Sequence, residues 1–285
     1  MNKIAVIGSR GQLGGELCRR LGNRSLPLDK EEIDITRRDL VLNVLANLKP
    51  DAVLNTAAYT LVDKAEENPA ICHAINADGV AHLAEACRRL DVPLLQISTD
   101  YVFGDDPERR TPYREDEPTS PQGVYAQSKR AGEVQAARWA KHFIVRTCGL
   151  NGQPGANTMQ SSFVDTMLRL GRERGHLRVV DDQHCTPSYV PHVAAACLFL
   201  FTTTAYGTYH VVNGGATTWH DFAAEIFRQA GLNVTLERIT TAEYGAKAPR
   251  PSYSVLDTAK YHALGGPAMP TWQAALAEYL AASNS

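Results

Sequence analysis

The sequence predicts an α/β protein: a doubly wound parallel sheet followed by a smaller, mixed α/β C-terminal lobe. Three observations carry this. Short apolar runs alternate with amphipathic stretches through the first half of the chain, the pattern of βαβ units with helices on both faces of a sheet. The opening run, Ile4-Ala5-Val6-Ile7, is followed by Gly8, Gly11 and Gly14 and then by an amphipathic segment ending at Leu21. Small or polar residues lie just past three separate runs, at 8–14, 56–59 and 98–100. Those are strand carboxyl ends, where sheets of this kind bind ligands.

Taken in order, strands are expected at 3–7, 25–27, 52–55, 94–98 and 143–146, with helices at 14–21, 38–48, 69–90 and 124–140. Segment 105–123, rich in Pro, Thr and charge, reads as a surface loop. Segment 151–161 reads as a loop and a mobile flap. Beyond it the pattern predicts a helix at 163–173, a strand at 206–212 and a helix at 219–230 opened by Thr217-Thr218. Pro249-Arg250-Pro251 marks a late loop before a closing helix at 272–282. The organisation expected is a dinucleotide-binding, Rossmann-like domain over 1–150. Residues 151–285 would form mainly a substrate-binding lobe, with some segments returning to the main sheet.

Composition excludes several classes. With 285 residues, 44% hydrophobic and 21% charged, the chain can bury a sizeable core. A net charge of −2 argues against a general nucleic-acid or membrane-surface binder. The longest apolar candidate, 193–201, is far short of the ~20 residues of a membrane span. Met1-Asn2-Lys3 leads directly into a strand, with no signal-peptide pattern, so a cytoplasmic location is expected. The six cysteines form no C-x-x-C pair and the nine histidines no H-x-x-x-H. Buried free thiols and no metal site are the expectation.

Two motifs carry chemistry. Glycines after an N-terminal strand let the backbone approach a pyrophosphate, whose charge meets the free N–H groups of a helix N-terminus. The spacing G-x-x-G-x-x-G differs from the dehydrogenase fingerprint, and a plain tight turn is the bland alternative. The second motif is Tyr125-Ala126-Gln127-Ser128-Lys129, preceded by Ser98-Thr99-Asp100-Tyr101-Val102-Phe103. On a helix, Tyr125 and Lys129 share a face. A nearby cation favours phenolate and would lower the tyrosine pKa toward the working range. Such a pair suits proton transfer to a carbonyl oxygen while hydride reaches its carbon. Alone, Tyr-x-x-x-Lys also occurs by chance on solvated helices.

Together with Asn55-Thr56-Ala57-Ala58-Tyr59-Thr60, Val62-Asp63-Lys64-Ala65-Glu66, Asn76, Arg146-Thr147, Asp182-Gln183, Thr217-Thr218-Trp219 and Arg250-Pro251, these motifs mark a resemblance. The chain resembles the extended short-chain dehydrogenase/reductase family almost end to end, and within it the dTDP-4-dehydrorhamnose reductase branch. The resemblance implies that Gly8, Gly11, Gln12, Leu13 and Gly14 cradle the cofactor pyrophosphate and that Asp34 and Ile35 flank the adenine. Ala57, Ala58, Tyr59 and Thr60 would line the cofactor. Thr99 would hydrogen-bond the substrate carbonyl, Tyr125 would protonate it, and Lys129 would hold the nicotinamide ribose. Asp100 and Tyr101 would face the sugar. The implied reaction is NAD(P)H-dependent reduction of the C4 ketone of a dTDP-4-keto-6-deoxy sugar, dTDP-4-dehydrorhamnose to dTDP-L-rhamnose.

Two departures touch the substrate end. The family carries an aromatic residue, often Trp, where this chain has Gly149, and the following 153–161 stretch is longer than usual. A glycine offers no stacking face, so the site is either roomier or uses another ring. Some relatives dimerise through acidic residues that bind Mg²⁺; Glu16 matches one position, but 188–192 carries no second acid. A monomer or a homodimer is therefore expected. Cofactor choice stays open between NADH and NADPH, with NADPH preferred: Asp29 suits a ribose 2′-hydroxyl, while Arg10 and Lys30 suit a 2′-phosphate. Two rival readings remain. One is a reductase of another nucleotide-linked 4-keto sugar. The other is a non-catalytic nucleotide-binding subunit, similar to the branch that regulates methionine adenosyltransferase.

Overall fold

Strands β1 (Ile4–Ile7), β2 (Ser25–Leu28), β3 (Ala52–Asn55), β4 (Leu94–Thr99), β5 (His142–Thr147) and β6 (Gly207–His210) form one parallel sheet. The order across it is β2-β1-β3-β4-β5-β6. These are features of a computed structural model that describes residues 1–104, 106–153, 155 and 162–283. The chain runs outward from β1 to β2, then crosses back to place β3 on the other side of β1. That reversal opens a crevice between the β1 and β3 carboxyl ends, the switch point of a doubly wound sheet.

Alternation along β1 explains why both faces are covered. Successive strand side chains point to opposite faces. Ile4 and Val6 pack with Leu13 and Leu17 of α1 (Gln12–Leu21) on one face. Ala5 and Ile7 pack on the other with Val41 and Leu45 of α2 (Arg38–Leu48) and Val80 and Leu83 of α3 (Gly79–Leu90). Helix α4 (Gly123–Ala136) carries Tyr125 and Lys129. The second half adds α5 (Phe163–Glu173), α6 (Val190–Leu200), α7 (Trp219–Ala230) and α8 (Trp272–Ser283). Its own core joins Val164 and Leu168 to Phe222, Ile226, Trp272 and Leu276.

The expected strands and the helices at 38–48, 163–173 and 219–230 are present, with strand ends shifted by one or two residues. Three features differ from expectation. The helix expected over 69–90 is interrupted: Pro69–His73 leads into a π turn, Ala74–Asp78, before α3. Inside that turn Asn76 is buried, accepting from the Tyr59 amide at 2.8 Å and donating to Tyr59 O at 3.1 Å and Ser128 Oγ at 2.9 Å. Its polar contacts across to another loop and helix explain why a uniform α period fails there. Helix α6 was absent from the sequence expectation because its residues are apolar on all sides and show no amphipathic face. A parallel ribbon pairing His176–Val180 with Thr235–Ile239 was also missed, its two strands lying 59 residues apart in register.

The 1–150 segment is not a closed unit. Strand β6 from the second half pairs along β5, Gly207 with Phe143 through His210 with Arg146. Val193, Ala196, Cys197 and Leu200 of α6 join the core of α1. Of the expected flap, Asn151 lies in a two-residue strand, Leu150–Asn151, paired with Ser188–Tyr189. Residues 154 and 156–161 lie outside the described residues. Among the described residues no helix is long and apolar enough to cross a membrane.

Candidate active site

A cleft of ≈ 1040 Å³ runs along the carboxyl edge of the sheet from β2 to β5. At its β1–β3 end stands the glycine turn. Gly8 has φ +77°, a left-handed conformation, and a Cβ there would lie 2.7 Å from the Ala57 nitrogen. A Cβ on Gly14 would lie 2.1 Å from Gly8 O. No side chain fits either place, so α1 begins hard against β1 with its first N–H groups facing the cleft. Gln12 Oε1 is buried there with no hydrogen-bond partner among the described residues. A backbone cradle at a helix N-terminus fits a pyrophosphate, and Gly155 packs against its rim, where a Cβ would lie 2.2 Å from Arg10 O. Gly8, Gly11, Gln12, Leu13, Gly14, Asp34, Ile35, Ala57, Ala58 and Thr60 all line the cleft.

The far side of this end is set by buried polar contacts. Asn55 Nδ2 donates to Gln96 Oε1 at 2.7 Å, and Asn55 Oδ1 accepts from the Ala57 amide at 3.1 Å. Thr56 Oγ1 donates to Ile7 O at 2.8 Å. Tyr59 is held through its backbone by Asn76 and does not form part of the cleft wall. Asp34 spends its carboxylate on Thr36, accepting from its amide at 3.0 Å and its hydroxyl at 2.7 Å, and these hydrogen bonds hold its pKa down. Asp29 accepts from the Arg10 and Lys30 amides at 3.0 and 2.9 Å. The Arg10 guanidinium reaches Glu31 and Glu32 at 2.9 and 3.2 Å.

At the β4–β5 end the structure brings Thr99, Asp100, Tyr101, Tyr125 and Lys129 into one wall. Thr99 ends β4 and caps the short turn Asp100–Val102, accepting from the Tyr101 amide at 3.2 Å. Its hydroxyl donates to Asp100 Oδ1 at 3.1 Å. Asp100 is buried, its pKa raised chiefly by that burial, and its other oxygen accepts from Ser254 Oγ at 2.6 Å. Tyr101 meets the Tyr125 ring edge-on, with centroids 6.0 Å apart. Lys129 is buried and donates to Ile97 O at 2.7 Å. Burial lowers its pKa to about 8, against a smaller opposing pull from Glu133.

One expectation is corrected. Lys129 was expected to lower the Tyr125 pKa, but the phenol is pushed well above its ordinary value. Its weakly polar surroundings dominate, the Asp100 carboxylate adds to them, and the Thr99 hydroxyl only partly offsets them. Tyr125 is therefore protonated at neutral pH, the state a proton donor needs.

Helix α4 is fixed by a buried bidentate pair. Arg146 donates to both Glu133 oxygens at 2.8 and 2.9 Å, and Ser98 Oγ donates to Glu133 Oε1 at 2.6 Å. This ties the helix of Tyr125 and Lys129 to β4 and β5. Glu16, weighed as a metal ligand, is ion-paired with Arg19 and Arg20 at 2.7 and 2.6 Å. Asp181, His220 and Asp221 gather elsewhere, but Arg238 bonds to both carboxylates. All six cysteines are free thiols.

Thr147, Cys148, Gly149, Leu150 and Trp219 complete the wall beside Thr99. The sequence reading placed none of them as site residues, although Gly149 was flagged as a departure and Trp219 belonged to the motif Thr217-Thr218-Trp219. Ser254 carried no signal at all, since it reaches Asp100 across 154 residues.

The family model described as "RmlD substrate binding domain" matches residues 1–285. The chain belongs to this family. It is 41% identical over 284 residues to the dTDP-4-dehydrorhamnose reductase of Streptomyces griseus, covering 96% of this chain and 91% of that protein. It is 39% identical over 290 residues to the spore coat polysaccharide biosynthesis protein SpsK of Bacillus subtilis (strain 168), covering 100% and 99%. Among solved structures, dTDP-4-dehydrorhamnose reductase from Bacillus anthracis strain Ames in complex with NADP superposes with a TM-score of 0.92 at 37% identity. That match covers 99% of both chains.

Proposed function

We propose that this protein is an NADPH-dependent reductase of the C4 ketone of a dTDP-4-keto-6-deoxy sugar, converting dTDP-4-dehydrorhamnose to dTDP-L-rhamnose. One observation carries the reading: Thr99, Tyr125 and Lys129 converge in the same cleft that begins at the glycine turn. Family membership and the NADP-bound relative support it.

Bound along the cleft, a reduced nicotinamide dinucleotide supplies the hydride for the ketone carbon. The glycine turn and the α1 N-terminus hold its pyrophosphate, with Ala57, Ala58 and Thr60 bordering it and Asp34 and Ile35 toward the adenine, while Tyr59, expected to line the cofactor, stays outside the cleft wall. Lys129 holds the ribose by its ammonium. Thr99 Oγ1 is a hydrogen-bond donor for the ketone oxygen, and its bond to Asp100 is exchanged for that contact. Tyr125, protonated at neutral pH, delivers the proton that turns the developing alkoxide into a hydroxyl. Residues 151–285 act mainly as the sugar-nucleotide lobe.

The test is consumption of NADPH by the purified protein, with and without a panel of nucleotide-linked keto sugars. Turnover is expected only with a dTDP-4-keto-6-deoxy sugar. Tyr125→Phe is expected to lower kcat by about 10²–10⁴-fold, the range of a lost general acid. Unchanged turnover in Tyr125→Phe would sink the mechanism. Turnover of a different nucleotide-linked 4-keto sugar would transfer the same chemistry to that substrate, a reading that Gly149 favours. Dinucleotide binding with no turnover on the whole panel would indicate the regulatory subunit.

A further inference from the structure

At the β5 end of the cleft the structure puts an aromatic ring against Gly149. Trp219 lines the cleft together with Cys148, Gly149 and Leu150. Gly149 has φ +49°, and a Cβ built on it would lie 3.2 Å from Trp219 Cη2. The indole edge and Pro187, whose Cα would lie 3.3 Å from that Cβ, therefore both close in on position 149. A left-handed glycine and an adjoining indole are mutually fitted, since a Cβ contact this close forces one of them to move.

Trp219 is held for this position. It is the first residue of α7, whose preceding Thr218 accepts from the Asp221 amide at 3.1 Å. Its ring packs on Phe163 at 4.8 Å and nears Phe222 at 6.4 Å between centroids. It contacts two separate apolar clusters, that of the C-terminal lobe and that around Phe103, Tyr113 and Cys148, yet stays only half-buried. A tryptophan wedged by apolar partners on one side and open to a cleft on the other is a rigid recognition surface.

Its place along the cleft says what it recognises. Sheet order sets the sequence of subsites from β2, past the glycine turn of β1, to β4 and β5. Thr99 on β4 is paired in register with Thr147 on β5, and Gly149 lies two residues beyond Thr147. Trp219 thus stands at the β5 end of the cleft, against Gly149 and in the same wall as Thr99 and Tyr125. We propose that Trp219 is an aromatic wall of the sugar subsite, setting specificity for the apolar face of a 6-deoxy hexose. The C–H groups and methyl of such a sugar match an indole surface, whereas a hexose with a hydroxyl at C6 brings a polar group to it.

This inference rests on the reductase reading, so turnover and binding are measured separately. Equilibrium binding of dTDP-L-rhamnose, dTDP-glucose and dTDP alone is compared in the wild-type protein, Trp219→Leu and Trp219→Phe. The wild type is expected to bind dTDP-L-rhamnose more tightly than dTDP, and Trp219→Leu to reduce that advantage by about tenfold. Trp219→Phe should retain part of it. Tm should fall, because the Trp219 packing on Phe163 is lost, but affinity for dTDP alone and for NADPH should stay within about twofold, an outcome that a purely structural role would not give. In the steady state, KM for the keto sugar rises while KM for NADPH does not.

An unchanged rhamnose advantage in a folded Trp219→Leu variant would overturn the proposal. Equal binding of dTDP-L-rhamnose and dTDP by the wild type would overturn it as well. Failure of turnover alone, with the binding pattern intact, would count against the reductase reading and not against Trp219.

Discussion

The two ends of the cleft are built in opposite ways. The β1–β3 end is made of backbone: a glycine turn, a helix N-terminus and a strand end, drawn from residues 7–14, 56–58 and 60. The β4–β5 end is made of side chains from distant segments, with Thr99 and Tyr125 joined by Trp219 and, through Asp100, by Ser254. Backbone geometry has few ways to change without losing the turn. Side chains can be exchanged singly, so substrate choice can drift while dinucleotide binding stays fixed.

This contrast is broken if a change at one end is felt equally at the other. The largest effect is expected from Gly14→Ala, whose Cβ would lie 2.1 Å from Gly8 O and force the turn open. Kd for NADPH should rise by roughly 100-fold or more, the scale of a few kcal/mol of lost fit, while affinity for the dTDP sugar holds. Matched losses in both, measured by titration calorimetry, would mean that the ends are one unit. Ser254→Ala is the converse probe. It removes a 2.6 Å hydrogen bond to a buried carboxylate, a loss of about 1.5–3 kcal/mol. The loss should appear mainly in KM for the sugar and in kcat, with Kd for NADPH unmoved.

The smallest and most graded effect lies between the two ends, at Lys129. Its pKa is lowered to about 8 from an ordinary 10.5, so the ammonium discharges as pH rises through that value. Activity should fall above pH 8 by up to about tenfold per unit in kcat/KM. Stability moves the other way. Between pH 8 and 10.5 the unfolded chain binds the lysine proton that the native protein has released. The Lys129 contribution therefore becomes more favourable with rising pH, by up to about 3 kcal/mol in all. Chemical denaturation of wild type against Lys129→Met across that window checks the sign, and a pH–rate profile flat to pH 10 would refute the assignment.

How much of this could be read from the sequence follows the same division. The strands β1, β3, β4 and β5 and the glycine turn were legible because each is local, a short apolar run followed by its own loop. Tyr125 and Lys129 were legible because helical spacing fixes their common face. The pKa of Tyr125 was not legible. Its direction depends on burial and on Asp100, neither of which lies within the Tyr-x-x-x-Lys motif. Trp219 was visible as part of a motif but not as a wall of the cleft, since its neighbour Gly149 is 70 positions earlier. The π turn at Ala74–Asp78 escaped because its cause, the Asn76 contacts to Tyr59 and Ser128, is tertiary.

Strand β6 has a consequence for how the chain reaches this form. It covers the outer edge of β5 but lies some sixty residues after it. As the ribosome releases the chain, β1 to β5 can pair while β6 is still unmade, and a row of unsatisfied β5 amides and carbonyls waits on an open edge. Such an edge is a template for pairing with any passing strand, and closing so long a loop is slow relative to local helix formation. The β5 edge of the nascent chain therefore stays unpaired from the emergence of residues 142–147 until residues 207–210 have emerged and paired with it.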